Sequence, residues 1–160
     1  MLEWTTKKSE IDDSVNFYRE YGTHTKGIIE CRYVRRTEDY FIVYLSSDIG
    51  CNKACRFCHL TQTNQTSSNY LSWDNVHKQI EKVFEHYKTQ KPAKKVHFNF
   101  MARGEPLSND KFEQSWEFIN SSMESFARRE DLDYQVNIST IMPLDYRENL
   151  MKQFNGKVTI

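Results

Sequence analysis

Short apolar runs and amphipathic stretches take turns along this chain, a pattern that predicts strands alternating with helices. Residues 27–35 (GIIECRYVR) and 40–47 (YFIVYLSS) are rich in β-branched and aromatic residues and are parted by the polar RTED, which reads as a β-hairpin. The second run is apolar without alternation from Tyr40 to Leu45, as in a strand covered on both faces. From Ser72 to Lys88, the residues Val76, Ile80, Val83, Phe84 and Tyr87 recur on one helical face, with Ser72 placed to cap and Asp74 in the first turn. Residues 95–101 (KVHFNFM) predict a further strand, and Phe112, Trp116, Ile119 and Met123 a second helix opened by Asn109 or Asp110. Residues 134–140 read as a strand, 144–154 as a short helix, and 157–160 as the start of another strand. Residues 1–26 are polar, with Ile11, Val15 and Tyr18 giving a weak helical pattern that stops at Tyr21-Gly22, so a short helix and a loop are expected there.

Strands that alternate with helices predict an α/β fold with a parallel sheet, its ligands lying beyond the C-terminal ends of the strands. The composition fits one domain: 160 residues, 38% of them hydrophobic and 14% aromatic, enough to repay the entropy of ordering. Twenty-two basic and twenty-two acidic residues leave no net charge, which removes the global attraction to nucleic acid that a basic protein carries. The lysines at 78, 82, 88, 91, 94 and 95 read as a solvated helix face and loop. There is no run of eighteen apolar residues, and the opening MLEWTTKKSEIDD has no apolar export region, so a cytoplasmic location without membrane contact is expected.

In a reducing compartment, four cysteines point to a metal or to catalysis before disulfides, and Cys51, Cys55 and Cys58 crowd into one loop just after the strand 40–47. Three chemistries fit that spacing. Zinc would need His59 or Cys31 as a fourth ligand. Cys55-Arg56-Phe57-Cys58-His59 also spells the attachment motif of c-type haem, which would leave Cys51 without a role. Three thiolates on one loop can instead hold three irons of a 4Fe-4S cluster, leaving the fourth iron open to a ligand.

The order CxxxCxxC, with Phe57 before the last Cys, and then Gly104-Glu105-Pro106 one strand and one helix later resembles the radical S-adenosylmethionine superfamily. Within it the chain is similar to the RlmN/Cfr-type adenine methyltransferases of rRNA and tRNA over about residues 27–160. The stretches that carry the likeness are Ser46-Ser47-Asp48-Ile49-Gly50-Cys51, Ala102-Arg103-Gly104-Glu105-Pro106-Leu107-Ser108-Asn109, and Ser139-Thr140-Ile141-Met142-Pro143, with Ile29-Glu30 and Tyr33 in the hairpin. The resemblance implies a truncated partial (β/α) barrel preceded by a hairpin, its core at 27–160 holding three to four β/α units. It implies Cys51, Cys55 and Cys58 as cluster ligands, Gly104 and Glu105 at the methionyl part of S-adenosyl-L-methionine, Ser139 on the same cofactor, and Glu30 as proton acceptor. The activity it implies is reductive cleavage of S-adenosylmethionine to a 5′-deoxyadenosyl radical for RNA adenine methylation, fed by an electron donor such as flavodoxin or ferredoxin.

Three departures qualify the likeness. Family members carry a Cys seven residues before the first cluster cysteine, where this chain has Tyr44. The methyl-carrying thiol of the family lies in a C-terminal region beyond Ile160, and Cys31 sits at no matching position. Tyr44 favours, as the first alternative, a radical enzyme on another substrate; the second alternative is a zinc- or cluster-stapled binding module in which the three Cys only staple a loop. Arg103 replaces the family's Met and is expected to point to substrate or solvent. The last strand should pair its open edge with a missing C-terminal part or with another chain.

Overall fold

The computed structural model describes residues 3–22 and 27–160. Seven strands form one sheet in sequential order: β1 (Thr5–Lys8), β2 (Ser14–Glu20), β3 (Ile28–Arg35), β4 (Tyr40–Leu45), β5 (Lys95–Phe100), β6 (Asp133–Ile138) and β7 (Val158–Thr159). β1 to β4 are an antiparallel meander, whereas β4 to β7 are parallel to one another. The parallel half is made by the crossovers α2 (Trp73–Tyr87), α3 (Asp110–Arg129) and α4 (Glu148–Met151), and a one-turn helix α1 (His59–Gln62) lies in the first of them. The α/β alternation expected from the pattern is present. The sheet stays open, with β1 and β7 at its edges, so a closed barrel is not formed by the described residues.

The N-terminal helix expectation is overturned, because the described part of residues 1–26 forms β1 and β2, and both join the main sheet. The stronger signal in SVNFYRE has period two. Val15 and Phe17 point to the core while Asn16 and Tyr18 point away, and seven residues pair with β3, including Val15 with Tyr33 and Phe17 with Cys31. Tyr21-Gly22 lies at the end of this segment, and the rest of the expected loop, residues 23–26, falls outside the described residues. The helix expected over 144–154 shortens to Glu148–Met151, with Leu150 as its one buried residue.

The core lies between one face of the sheet and α2 with α3. Phe41, Val43 and Leu45 of β4, Val96, Phe98 and Phe100 of β5, and Val136 and Ile138 of β6 meet Val76, Ile80, Val83 and Phe84 of α2 and Phe112, Trp116, Ile119 and Met123 of α3. Each such fully buried side chain contributes roughly 1.5–3 kcal/mol relative to exposure. Along β4, Phe41, Val43 and Leu45 are buried against the helices, and on the other face Ile42 is buried and Tyr44 half-buried. That face carries a polar row in register across the sheet, namely Arg32, Tyr44, Asn99 and Asn137. Asn137 donates to Asn99 at 2.6 Å. Ser72 is the N-cap residue of α2, yet its hydroxyl binds the Asn75 side chain instead of the helix backbone. Asn109 caps α3 directly, accepting from the Phe112 amide at 3.0 Å. Among the described residues no helix is long and apolar enough to cross a membrane.

Candidate functional site

The C-terminal ends of β4, β5 and β6 carry the residues singled out by the motifs, and the chain between them is cross-bonded. Straight after β4, the Ser46 backbone is clamped by the buried amide of Gln79 from α2, through bonds of 2.8 and 3.1 Å. One residue on, the Ser47 amide donates to the Arg103 carbonyl at 2.8 Å, and the Ser47 carbonyl accepts from the Leu71 amide and from the Asn109 side chain. The loop after β5 therefore runs against the root of the cysteine loop. Gly104 permits this: its φ is +94°, and an added Cβ would sit 2.6 Å from the Asp48 Cβ and 3.0 Å from the Asp48 backbone nitrogen. The group approached is the protein's own Ser47-Asp48 segment.

Asp48 closes the neck of the cysteine loop. Its carboxylate accepts from the amides of Gly50 at 3.2 Å and Asn69 at 2.7 Å and from the Ser68 hydroxyl. Gly50 has the backbone of residues 65–67 lying over it, with the Ser67 carbonyl oxygen 2.2 Å from where a Cβ would stand. Cys51 is half-buried, its thiol pKa raised first by burial and then by the charge of Asp48. Cys55 and Cys58 are partly exposed, with the Cys58 amide bonded to the Cys55 carbonyl, and Cys58 opens α1 as its N-cap residue. All three thiols are free. Three reduced, reachable thiols on one short loop are donors that an iron–sulfur cluster or a zinc ion could use. They do not yet meet at one point, since among the described residues no three His, Cys, Asp or Glu side chains are grouped to hold a metal ion. For one metal to take all three thiols, the loop would have to draw together. Cys31 cannot join them: it is completely buried on the helix-facing side of β3, with its pKa pushed well up by burial.

Glu105 is buried and bonded on both carboxylate oxygens. It accepts from the Leu107 amide at 3.1 Å, the Thr140 hydroxyl at 2.7 Å and the Ile141 amide at 3.0 Å, which joins the turn after β5 to the segment after β6. With about four lone-pair positions on a carboxylate, one remains for a further donor. Ser139 is exposed at the end of β6, while its neighbour Thr140 makes the contact to Glu105. Lys53 of the cysteine loop pairs with Asp145 at 3.0 Å, so the segment after β6 also touches that loop.

Arg103 corrects another expectation. Its side chain is 4% exposed and points neither to solvent nor to an open pocket: Nε donates to Glu30 Oε2 at 2.9 Å and Nη1 to Gln65 Oε1 at 2.7 Å. The other oxygen of Glu30 accepts from Asn16 at 3.0 Å. Glu30 is thus not a bare hairpin charge, since each of its carboxylate oxygens accepts a hydrogen bond. Glu30 itself lines a cavity of about 320 Å³ on the open face, together with Arg32, Arg36, Tyr44 and Met101. Gln79 and Gln65 were not singled out from sequence, and Asp48, Asn109 and Thr140 stood there only within the quoted stretches, Asn109 also as a helix cap, without a role at this site. The one available signal was a polar residue, Gln79, on the apolar face of the α2 pattern.

With the strand ends, the cysteine loop and the turn after β5 in this arrangement, comparison with known proteins becomes informative. The chain is similar to a dual-specificity RNA methyltransferase, RlmN, of Anaeromyxobacter sp. (strain Fw109-5). The two are 29% identical over 111 residues, a match that takes in 68% of this chain. It spans 28% of the length of that enzyme, so the likeness hints at the family without carrying the whole enzyme's activity across. No protein-family profile matches the chain, and no solved structure does.

Proposed function

We propose that this chain performs radical S-adenosylmethionine chemistry, with Cys51, Cys55 and Cys58 holding a 4Fe-4S cluster and an RNA adenine as the substrate to be methylated. The observation that carries the reading is the bond from the Ser47 amide to the Arg103 carbonyl at 2.8 Å, which sets the cysteine loop and the Gly104-Glu105-Pro106 turn side by side at the ends of parallel strands. The similarity to an RNA methyltransferase supports it. When bound, the cluster would supply the electron for cleavage of the sulfonium, delivered by a donor of the flavodoxin or ferredoxin kind. The chain's own part is positional. Glu105 keeps one lone-pair position for the methionyl ammonium, Ser139 offers an exposed hydroxyl at the end of β6, and the open sheet face with Tyr44, Asn99 and Asn137 faces the substrate side.

A second reading keeps the radical chemistry and changes the substrate. Tyr44 favours it, since a phenol cannot resolve a thioether-linked adduct as a thiol can. Anaerobic reconstitution should give roughly four iron and four sulfide per chain. Cys55→Ala should lose both, and Cys31→Ala should keep them. One tightly bound zinc without sulfide would remove the radical reading and leave a metal-stapled binding module.

A further inference from the structure

We infer that Arg103 is a positioning residue that closes the neck of the cysteine loop, with Glu30 as its counter-ion. This rests on the reading above only in taking residues 51–58 as the metal-bearing segment. The Arg103 guanidinium reaches three groups from three parts of the chain: Glu30 on β3 at 2.9 Å, Gln65 just after α1 at 2.7 Å, and the Ile49 carbonyl just before the loop at 3.4 Å. Ile49 and Gln65 are the two sides of the neck, and they are also joined by the Cys51 amide donating to the Gln65 carbonyl at 3.2 Å. The Arg103 backbone carbonyl accepts from Ser47 in addition. One side chain therefore fixes where the segment carrying Cys51, Cys55 and Cys58 leaves the sheet and where it returns. Arginine suits the task because its planar fork presents several donors at set angles, whereas a lysine ammonium on a flexible stem would hold one or two of these partners.

A buried guanidinium needs an opposite charge, and Glu30 is the one described carboxylate within 4.0 Å of it. Both Glu30 oxygens already accept hydrogen bonds, from Arg103 and Asn16.

The test uses the whole chain as Arg103→Met, Arg103→Lys and Glu30→Gln, read by native-state amide hydrogen exchange and by iron retained after anaerobic reconstitution. Exchange at the Cys51 amide should accelerate at least tenfold in Arg103→Met, with the amides of β5 unchanged as the internal measure of global opening. Retained iron should fall below half of the wild-type amount. Arg103→Lys should recover part of both, because it restores the charge pair without the full set of neck contacts. Glu30→Gln should also accelerate Cys51 exchange, and adding it to Arg103→Met should make no further difference, since the pair is already lost. Three results would overturn the inference: Cys51 exchange in Arg103→Met within twofold of wild type, equal acceleration in β5, or Glu30→Gln abolishing product formation with loop exchange unaltered. If wild type takes up neither iron nor sulfide, the cluster reading fails, and the exchange data still decide the clamp.

Discussion

Gly104→Ala distinguishes a glycine kept for the fold from one kept for a ligand. At φ +94° an L side chain is strained, by roughly 1–2 kcal/mol. The new Cβ would also stand 2.6 Å from the Asp48 Cβ and the Ser47 Oγ and 3.0 Å from the Asp48 nitrogen. That segment has little room to yield, because Asp48 holds the Gly50 and Asn69 amides and Ser47 is bonded to Arg103, Leu71 and Asn109. Forced overlap against well-packed neighbours adds typically ~1–3 kcal/mol. A loss of about 3 kcal/mol follows, which at about 2–4 °C per kcal/mol lowers Tm by roughly 6–12 °C in a domain of this size. Urea denaturation and calorimetry measure both. Two other glycines separate the contributions. Gly22→Ala, at φ +67° with no described atom within 4 Å, should lose only the backbone part, ~1 kcal/mol. Gly156→Ala, with ordinary φ and no neighbour within 4 Å, should be neutral or slightly stabilising. A Gly104→Ala protein no less stable than Gly22→Ala would refute the contact argument. Unchanged stability with weakened S-adenosylmethionine binding would assign the glycine to the cofactor.

In the metal-free, reduced chain at pH 8, a thiol reagent should modify Cys55 and Cys58 quickly and Cys51 more slowly. Cys31 should react only on unfolding, because burial keeps it a neutral thiol and excludes the reagent. Four fast thiols in the folded protein would contradict the placement of Cys31 on the core side of β3. His86, packed against Tyr33 and Phe17, has its pKa lowered first by burial and then by Lys8 and Lys82. The unfolded chain then takes up the proton first, so the stability from His86 is complete above about pH 6.5 and declines as the pH falls below it, until the folded group protonates too. His97 shifts the same way, so His86→Phe should remove part of the slope between pH 6.5 and 5. An unchanged slope would locate the pH dependence elsewhere.

Much of the scaffold was legible because it depends on local patterns. The apolar face of α2, the Asn109 cap of α3 and the strands at 28–35, 40–45, 95–100 and 133–138 each follow from periodicity or composition within a few residues. The three cysteines and the Gly104-Glu105-Pro106 turn stood out for the same reason, as residues of special chemistry at fixed spacing. Period-two burial in β2 was misread as a weak helix because its support, pairing with β3, comes from residues some fifteen positions away.

What the tertiary structure alone decided is where the charges and amides of the site go. Arg103 and Glu30 are seventy-three residues apart, and neither carries any local mark of the other, so Arg103 reads from sequence as pointing to substrate or solvent, and Glu30 has a role only through the resemblance. Burial makes them a pair, since a guanidinium removed from water must find a carboxylate and the ends of β3 and β5 supply one. In the same way Gln79 reads as a flaw in an apolar stripe until β4 presents the Ser46 amide and carbonyl to it. The sequence by itself determined which segments become strands and helices and which residues hold reactive chemistry, because both depend on neighbours along the chain. The partners of its buried polar groups were decided only by folding, because desolvation links residues by distance in space.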